Sequence, residues 1–170
     1  MENEQITQSK NVIDFFALVS EFCIYTNEVG NYSLNHILNF YQRILPMIYI
    51  KATFLPELNQ EDVFAQTFMS DENFEEIMNE IRKKTNDVDF YYALENTLEN
   101  EPGMVYSFAY DVALIYRYSK DFLNLFQQNL TTSKLSAIEY AKSTFISNWG
   151  KVLLRLQRNI HDNLYRTNLN

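Results

Sequence analysis

Asp111 is the side chain of this sequence whose position most suits chemistry. With Phe108 at zero and each helical residue advancing about 100°, Asp111 falls about 60° to one side, and Ile115 and Phe122 lie about 20° and 40° off in the same direction. It borders an apolar stripe and does not face bulk water. A carboxylate so placed must be hydrogen-bonded or paired. A Tyr or Arg of a neighbouring helix is the structural partner to expect. General acid or base work is the functional alternative, because such groups are assembled in three dimensions.

A second group lies towards the C-terminus. Lys151, Arg155, Arg158 and Arg166 form a basic line at helical spacing, interrupted by Asp162. Such a line suits a phosphate or an acidic peptide, or forms a solvated face that pairs with acids elsewhere. His161 falls on the opposite flank, beside Leu154, Gln157 and Tyr165. Two candidate surfaces follow. One is a cleft between helices lined by Tyr49, Asp111, Trp149 and His161; the other is the cationic surface of Arg155 and Arg158. No residue is assigned a catalytic role.

Several chemistries are disfavoured by composition. His36 and His161 are the only histidines, and no Glu-x-x-His, Cys-x-x-Cys or His-x-x-x-His spacing occurs, so neither a metal nor another cofactor is expected. Three glycines in 170 residues leave no glycine-rich loop to cradle a phosphate. The single cysteine, Cys23, falls among apolar helix positions and reads as a small buried hydrophobe. A reducing cytoplasm is the expected location.

Charge is unevenly distributed. Residues 57–101 hold 13 acids and 3 bases, whereas residues 102–170 hold 4 acids and 8 bases, within a formal net charge of −8. An acidic chain is a poor nucleic-acid binder, since that affinity comes from displacing counterions with Lys and Arg. The acidic middle is expected to lean on the basic C-terminal third or to be solvated; a polar surface for another protein is the alternative. No apolar run approaches the roughly 20 residues of a membrane span, and the acidic start is unlike a secretory signal. The oligomeric state stays open.

These residues must be positioned by long helices, because three glycines and three prolines allow few tight turns. Residues 1–8 are polar and expected to fray. Val12, Phe15, Phe16, Val19, Phe22, Cys23 and Thr26 mark a first helix running to about Glu28, capped by Gly30. Ser33 caps a second, with the stripe Leu34, Ile37, Leu38, Tyr41, Ile44, Leu45 and Ile48, a kink at Pro46 and an end at Pro56. Ser70, Asp71 and Glu72 start a shorter helix with Phe74, Ile77, Met78 and Ile81. Phe90–Leu94 is a short apolar cluster, and Glu101-Pro102-Gly103 is a break. A third main helix is expected over 104–129. A fourth runs from the Ser133 cap to about Tyr165, about 50 Å long unless Gly150 bends it. The 13 Phe and 12 Tyr supply a bulky helical core.

The run Leu45-Pro46-Met47-Ile48-Tyr49-Ile50-Lys51-Ala52, the Tyr91-Tyr92 pair, Asp111-Val112-Ala113-Leu114-Ile115-Tyr116 and Trp149-Gly150 followed by Arg158 and His161 come in a characteristic order. In this the chain resembles a small bacterial helical family catalogued as domain of unknown function 5063, over about residues 10–165. The resemblance implies an all-α domain and no particular reaction. It also implies a histidine two residues after the Trp-Gly pair, where this chain has Val152.

The expectation is a single all-α domain spanning 1–170: an up-and-down bundle of four main helices with short extra helices in the acidic middle. A non-catalytic accessory or protein-interaction domain is the expected function. The alternative is a small-ligand sensor or unrecognised enzyme using a cleft near Asp111 and His161.

Overall fold

The computed structural model describes residues 2–58, 68–94 and 103–166. The apolar stripes become helices that bury them. Helix α1 (Glu2–Thr7) lies where a frayed tail is expected; Thr7 is buried there and Ile6 packs against the core, which holds the segment down. Helix α2 (Lys10–Asn27) buries Val12, Phe15, Val19, Phe22, Cys23 and Thr26. A 3-10 turn over Val29–Asn31 ends it, with Gly30 inside that turn.

Helix α3 (Leu34–Thr53) starts as expected, with the Ser33 hydroxyl accepting the His36 amide at 3.4 Å. It runs through Pro46. The proline ring removes the donor that would reach the Gln42 carbonyl. That carbonyl instead accepts a bond of 3.3 Å from Gln157 Nε2, on the last helix, α7 (Gly150–Tyr165). A side chain thus satisfies what the proline leaves open.

Helix α4 (Asp71–Thr85) is capped by the Ser70 hydroxyl, which accepts the Asn73 amide at 3.2 Å. Asp71 and Glu72 sit in its first turn and Arg82, Lys83 and Lys84 in its last, each at the favourable end of the helix dipole.

The next segment corrects the sequence-based expectation. Residues 90–93 and 104–107 are not helical but form strands β1 (Phe90–Ala93) and β2 (Met104–Ser107). They pair antiparallel, with Phe90 opposite Ser107, Tyr91 opposite Tyr106, Tyr92 opposite Val105 and Ala93 opposite Met104. Both runs are rich in aromatic or β-branched residues that suit a pleated surface. Helix α5 (Phe108–Phe126) therefore begins four residues later than expected, at a Ser107 cap that accepts the Tyr110 amide at 3.1 Å.

Helix α6 (Thr131–Thr144) and α7 replace the expected single rod, and a π-helical turn over Phe145–Trp149 separates them. The Gly150 amide donates to the Phe145 carbonyl, five residues back. A Cβ on Gly150 would lie 2.7 Å from that carbonyl oxygen and 3.0 Å from the Phe145 ring. Glycine is needed here for close approach. Alanine is worth about 1 kcal/mol in an ordinary helix interior, but overpacking against backbone costs about 1–3 kcal/mol. Gly150→Ala should therefore lower the melting temperature; an unchanged or raised value would show that the π turn relaxes freely.

Helix α5 is the centre of the assembly, packing on α2, α4, α6 and α7, while α3 lies against α2 and α7. Phe15, Phe22, Tyr41, Phe108 and Phe122 are fully buried between them, and Phe15 meets Phe122 edge-on at 5.0 Å between ring centroids. The fold is thus all-α in the broad sense, with one small two-stranded sheet among the described residues. Among the described residues, no helix is long and apolar enough to cross a membrane.

Candidate functional site

The hairpin's register builds the site. Alternation along a strand puts Tyr91 and Tyr106 on one face, and pairing places them opposite each other. That face is turned to the helices. Tyr91 donates its hydroxyl hydrogen bond to Asp111 Oδ2, on the first turn of α5. The Tyr106 ring lies under the Arg155 guanidinium at 4.0 Å, a cation–π contact. Arg155, one turn into α7, reaches the same carboxylate twice: Nε to Oδ2 at 2.9 Å and Nη2 to Oδ1 at 2.7 Å. Two helices and both strands meet at Asp111, which is wholly buried. Burial, and then the Asp111 charge, hold the Tyr91 hydroxyl protonated well above the usual tyrosine range. Burial disfavours the Arg155 charge, but the hydrogen bonds and charge of Asp111 outweigh it and hold the guanidinium protonated.

A second buried carboxylate fixes the base of the hairpin. Asp89 accepts from the Ala109 amide at 2.7 Å, from the Ser107 hydroxyl at 3.0 Å and from Arg82 Nε at 3.1 Å. A negative charge at the start of α5 also suits its dipole. Further along α5, Asp121 accepts the Phe68 and Met69 amides at 2.8 and 3.2 Å and the Tyr140 hydroxyl at 3.1 Å.

Burial raises the Asp121 carboxyl above its ordinary value, against hydrogen bonds that lower it. A raised folded pKa favours the protonated form in the fold, so this stabilisation is present below about pH 4 and is lost as pH rises through the folded value. Asp121→Asn keeps acceptors for both amides without the buried charge. It should be at least as stable as the parent at pH 7, with the advantage shrinking on acidification towards pH 4. Melts at the two pH values check this; a stability gap independent of pH would show that Asp121 titrates normally.

Beside the Asp111 cluster runs a groove of about 790 Å³ between β1 and α7. Asp87, Val88 and Phe90 to Leu94 form one wall. Arg155, Arg158, Asn159, Asp162, Asn163 and Arg166 form the other, at spacings that put them on one helical stripe. Arg166 pairs with Asp162 at 3.5 Å. Arg158 is exposed, and no described acid lies within ion-pair distance of it. Phe90 and Tyr92, on the face of the hairpin away from Tyr91, are 69% and 80% exposed.

The sequence-derived candidates fall in three places. Asp111 and Arg155 are paired, and Arg158 lines the adjoining groove. Tyr49 and Trp149 gather instead around Phe145, each edge-on, at 5.1 and 4.8 Å between centroids. Trp149 is buried and donates from Nε1 to Thr144 Oγ1 at 3.0 Å. His161 is exposed on α7 with its ring 4.9 Å from Tyr165. None of Tyr49, Trp149 and His161 lines the groove. Val152, where the family resemblance implies a histidine, is buried in the core. Cys23 is likewise buried, its thiol pushed up to about 12 by burial. Sequence reasoning missed Tyr106, Asp89 and the role of Tyr91; the available signal was a pair of short aromatic and β-branched runs flanking a Pro-Gly break.

Helices around an aromatic core, with one hairpin clamped to them by a buried Asp–Arg–Tyr cluster, define a mostly helical class of protein. More particularly, the chain belongs to the family described as domain of unknown function (DUF5063), which matches residues 6–166. It is also similar to protein BF1032 from Bacteroides fragilis, known from a crystal structure. The TM-score is 0.83 at 25% sequence identity, over 98% of this chain and 99% of that one. Comparison with curated proteins finds no match.

Proposed function

We propose that this chain is a non-catalytic interaction module, a single bacterial cytoplasmic domain built on four long helical runs, and that the groove between β1 and α7 is its recognition surface. The observation that carries this reading is the state of Asp111. Both its oxygens already accept hydrogen bonds from Arg155 and Tyr91, so the carboxylate behind the groove positions the hairpin and is poorly placed to take a proton from a substrate. The groove itself lies within the roughly 300–1,000 Å³ typical of ligand sites. Its walls combine exposed aromatic surface with Arg158 and two asparagines.

The same volume favours a small anionic ligand held by Arg158 as the second reading. Affinity capture from the native lysate separates them. The parent chain should recover a set of proteins that Arg158→Glu loses and Lys151→Glu, outside the groove on the same helix, retains. Identical recovery by all three would exclude the groove as a protein interface.

A further inference from the structure

The groove is bounded by a strand edge. The Phe108 amide donates to the Asp89 carbonyl at 2.6 Å, which sets the phase of the ladder. In an antiparallel pair, hydrogen-bonded and non-hydrogen-bonded residue pairs alternate. A bond from Phe108 to Asp89 makes Phe90–Ser107 and Tyr92–Val105 non-hydrogen-bonded pairs and Tyr91–Tyr106 and Ala93–Met104 hydrogen-bonded ones. The backbone N–H and C=O groups of Phe90 and Tyr92 therefore point away from β2. The groove lines up with that side: it touches consecutive residues of β1 but, from the other end of the hairpin, only Gly103. Among the described residues, no group is hydrogen-bonded to the Phe90 and Tyr92 backbone.

Resting on the reading above, we propose that the occupant of the groove is an extended segment of a partner polypeptide that adds to β1 as a third strand and carries an acidic side chain to Arg158. Strand addition supplies affinity through main-chain hydrogen bonds and specificity through alternate side chains. The dimensions agree. Phe90 to Leu94 extend about 13 Å, and Arg155 to Arg166 span about 16 Å of helix, so about five partner residues fit alongside. Side chains on the Tyr91 face of the added strand point towards α7, where Arg158 has no ion-pair partner among the described residues. Those on the opposite face lie beside Phe90 and Tyr92, where apolar cross-strand pairs form.

The probe is a displayed library of random nine-residue peptides selected on the folded full chain, with the best binder then made synthetically. Selection should enrich apolar residues alternating with Asp or Glu. In amide NMR spectra the synthetic peptide should shift Phe90 and Tyr92. Tyr92→Pro removes an outward donor and no β1–β2 bond. It should weaken binding at least tenfold while leaving the melting temperature within a few degrees. Arg158→Glu should weaken the acidic peptide about tenfold and its glutamine counterpart hardly at all. Failure to enrich any binder, or equal binding by a peptide N-methylated along its backbone, would overturn strand addition. So would a dimeric mass in light scattering that Tyr92→Pro makes monomeric, since a second copy would then hold the edge. Strand addition alone falls if lysate capture still depends on Arg158 while the peptide results fail; both readings fall if the peptide results fail and capture is also indifferent to Arg158.

Discussion

Asp111→Ala is expected to remove about 3–5 kcal/mol of folding stability, the usual consequence of taking one partner from a buried ion pair. Arg155, only 14% exposed at its side chain, would lose both of its hydrogen bonds to that carboxylate, and Tyr91 would lose its acceptor. In a chain of this size, that corresponds to a fall of roughly 10 °C in melting temperature. The double substitution Asp111→Leu with Arg155→Met should recover most of the loss, because replacing a buried pair by apolar side chains is often neutral or stabilising. Thermal melts of the three proteins decide the matter. A single variant that melts with the parent would show that the cluster contributes nothing to the fold, and would reopen a reactive role for Asp111.

Trp149→Ala should be of similar size for a different reason. The indole is 3% exposed, stacks on Phe15 at 6.3 Å and meets Phe145 edge-on at 4.8 Å. Removing a buried aromatic of this kind typically costs about 3–5 kcal/mol, through lost transfer energy and the cavity left behind. Thr144 Oγ1 would also lose its donor at the π turn. Chemical denaturation followed by circular dichroism gives the value. A change below about 1 kcal/mol would mean that the neighbouring rings collapse into the space.

The helical framework was legible because helices are local. The stripes of α2, α3 and α5 follow from three- and four-residue spacings, and the Ser33 and Ser70 caps lie within three residues of the amides they serve. Where local rules failed, a longer-range partner had decided. Met104 to Ser107 continues the apolar pattern of α5 well enough to read as its first turn, but pairing with β1 takes it into a strand. Gly150 is a different case, decided locally: the sequence leaves open whether it bends one long helix, and in the fold it follows a π turn, its amide bonded to the Phe145 carbonyl five residues back.

The candidate site divides along the same line. By itself the sequence determined that Asp111 borders the apolar stripe of its helix and that Arg155 and Arg158 share a face of theirs, since both statements need only 100° per residue. Tertiary structure decided that Arg155 reaches across 44 positions of sequence to Asp111, that Tyr91 and Tyr106 close over the pair, and that Tyr49, Trp149 and His161 go elsewhere. The physical reason is that a buried charge accepts whichever donors the packed elements bring within about 3 Å. Periodicity along one helix carries no information about which face of another it will meet.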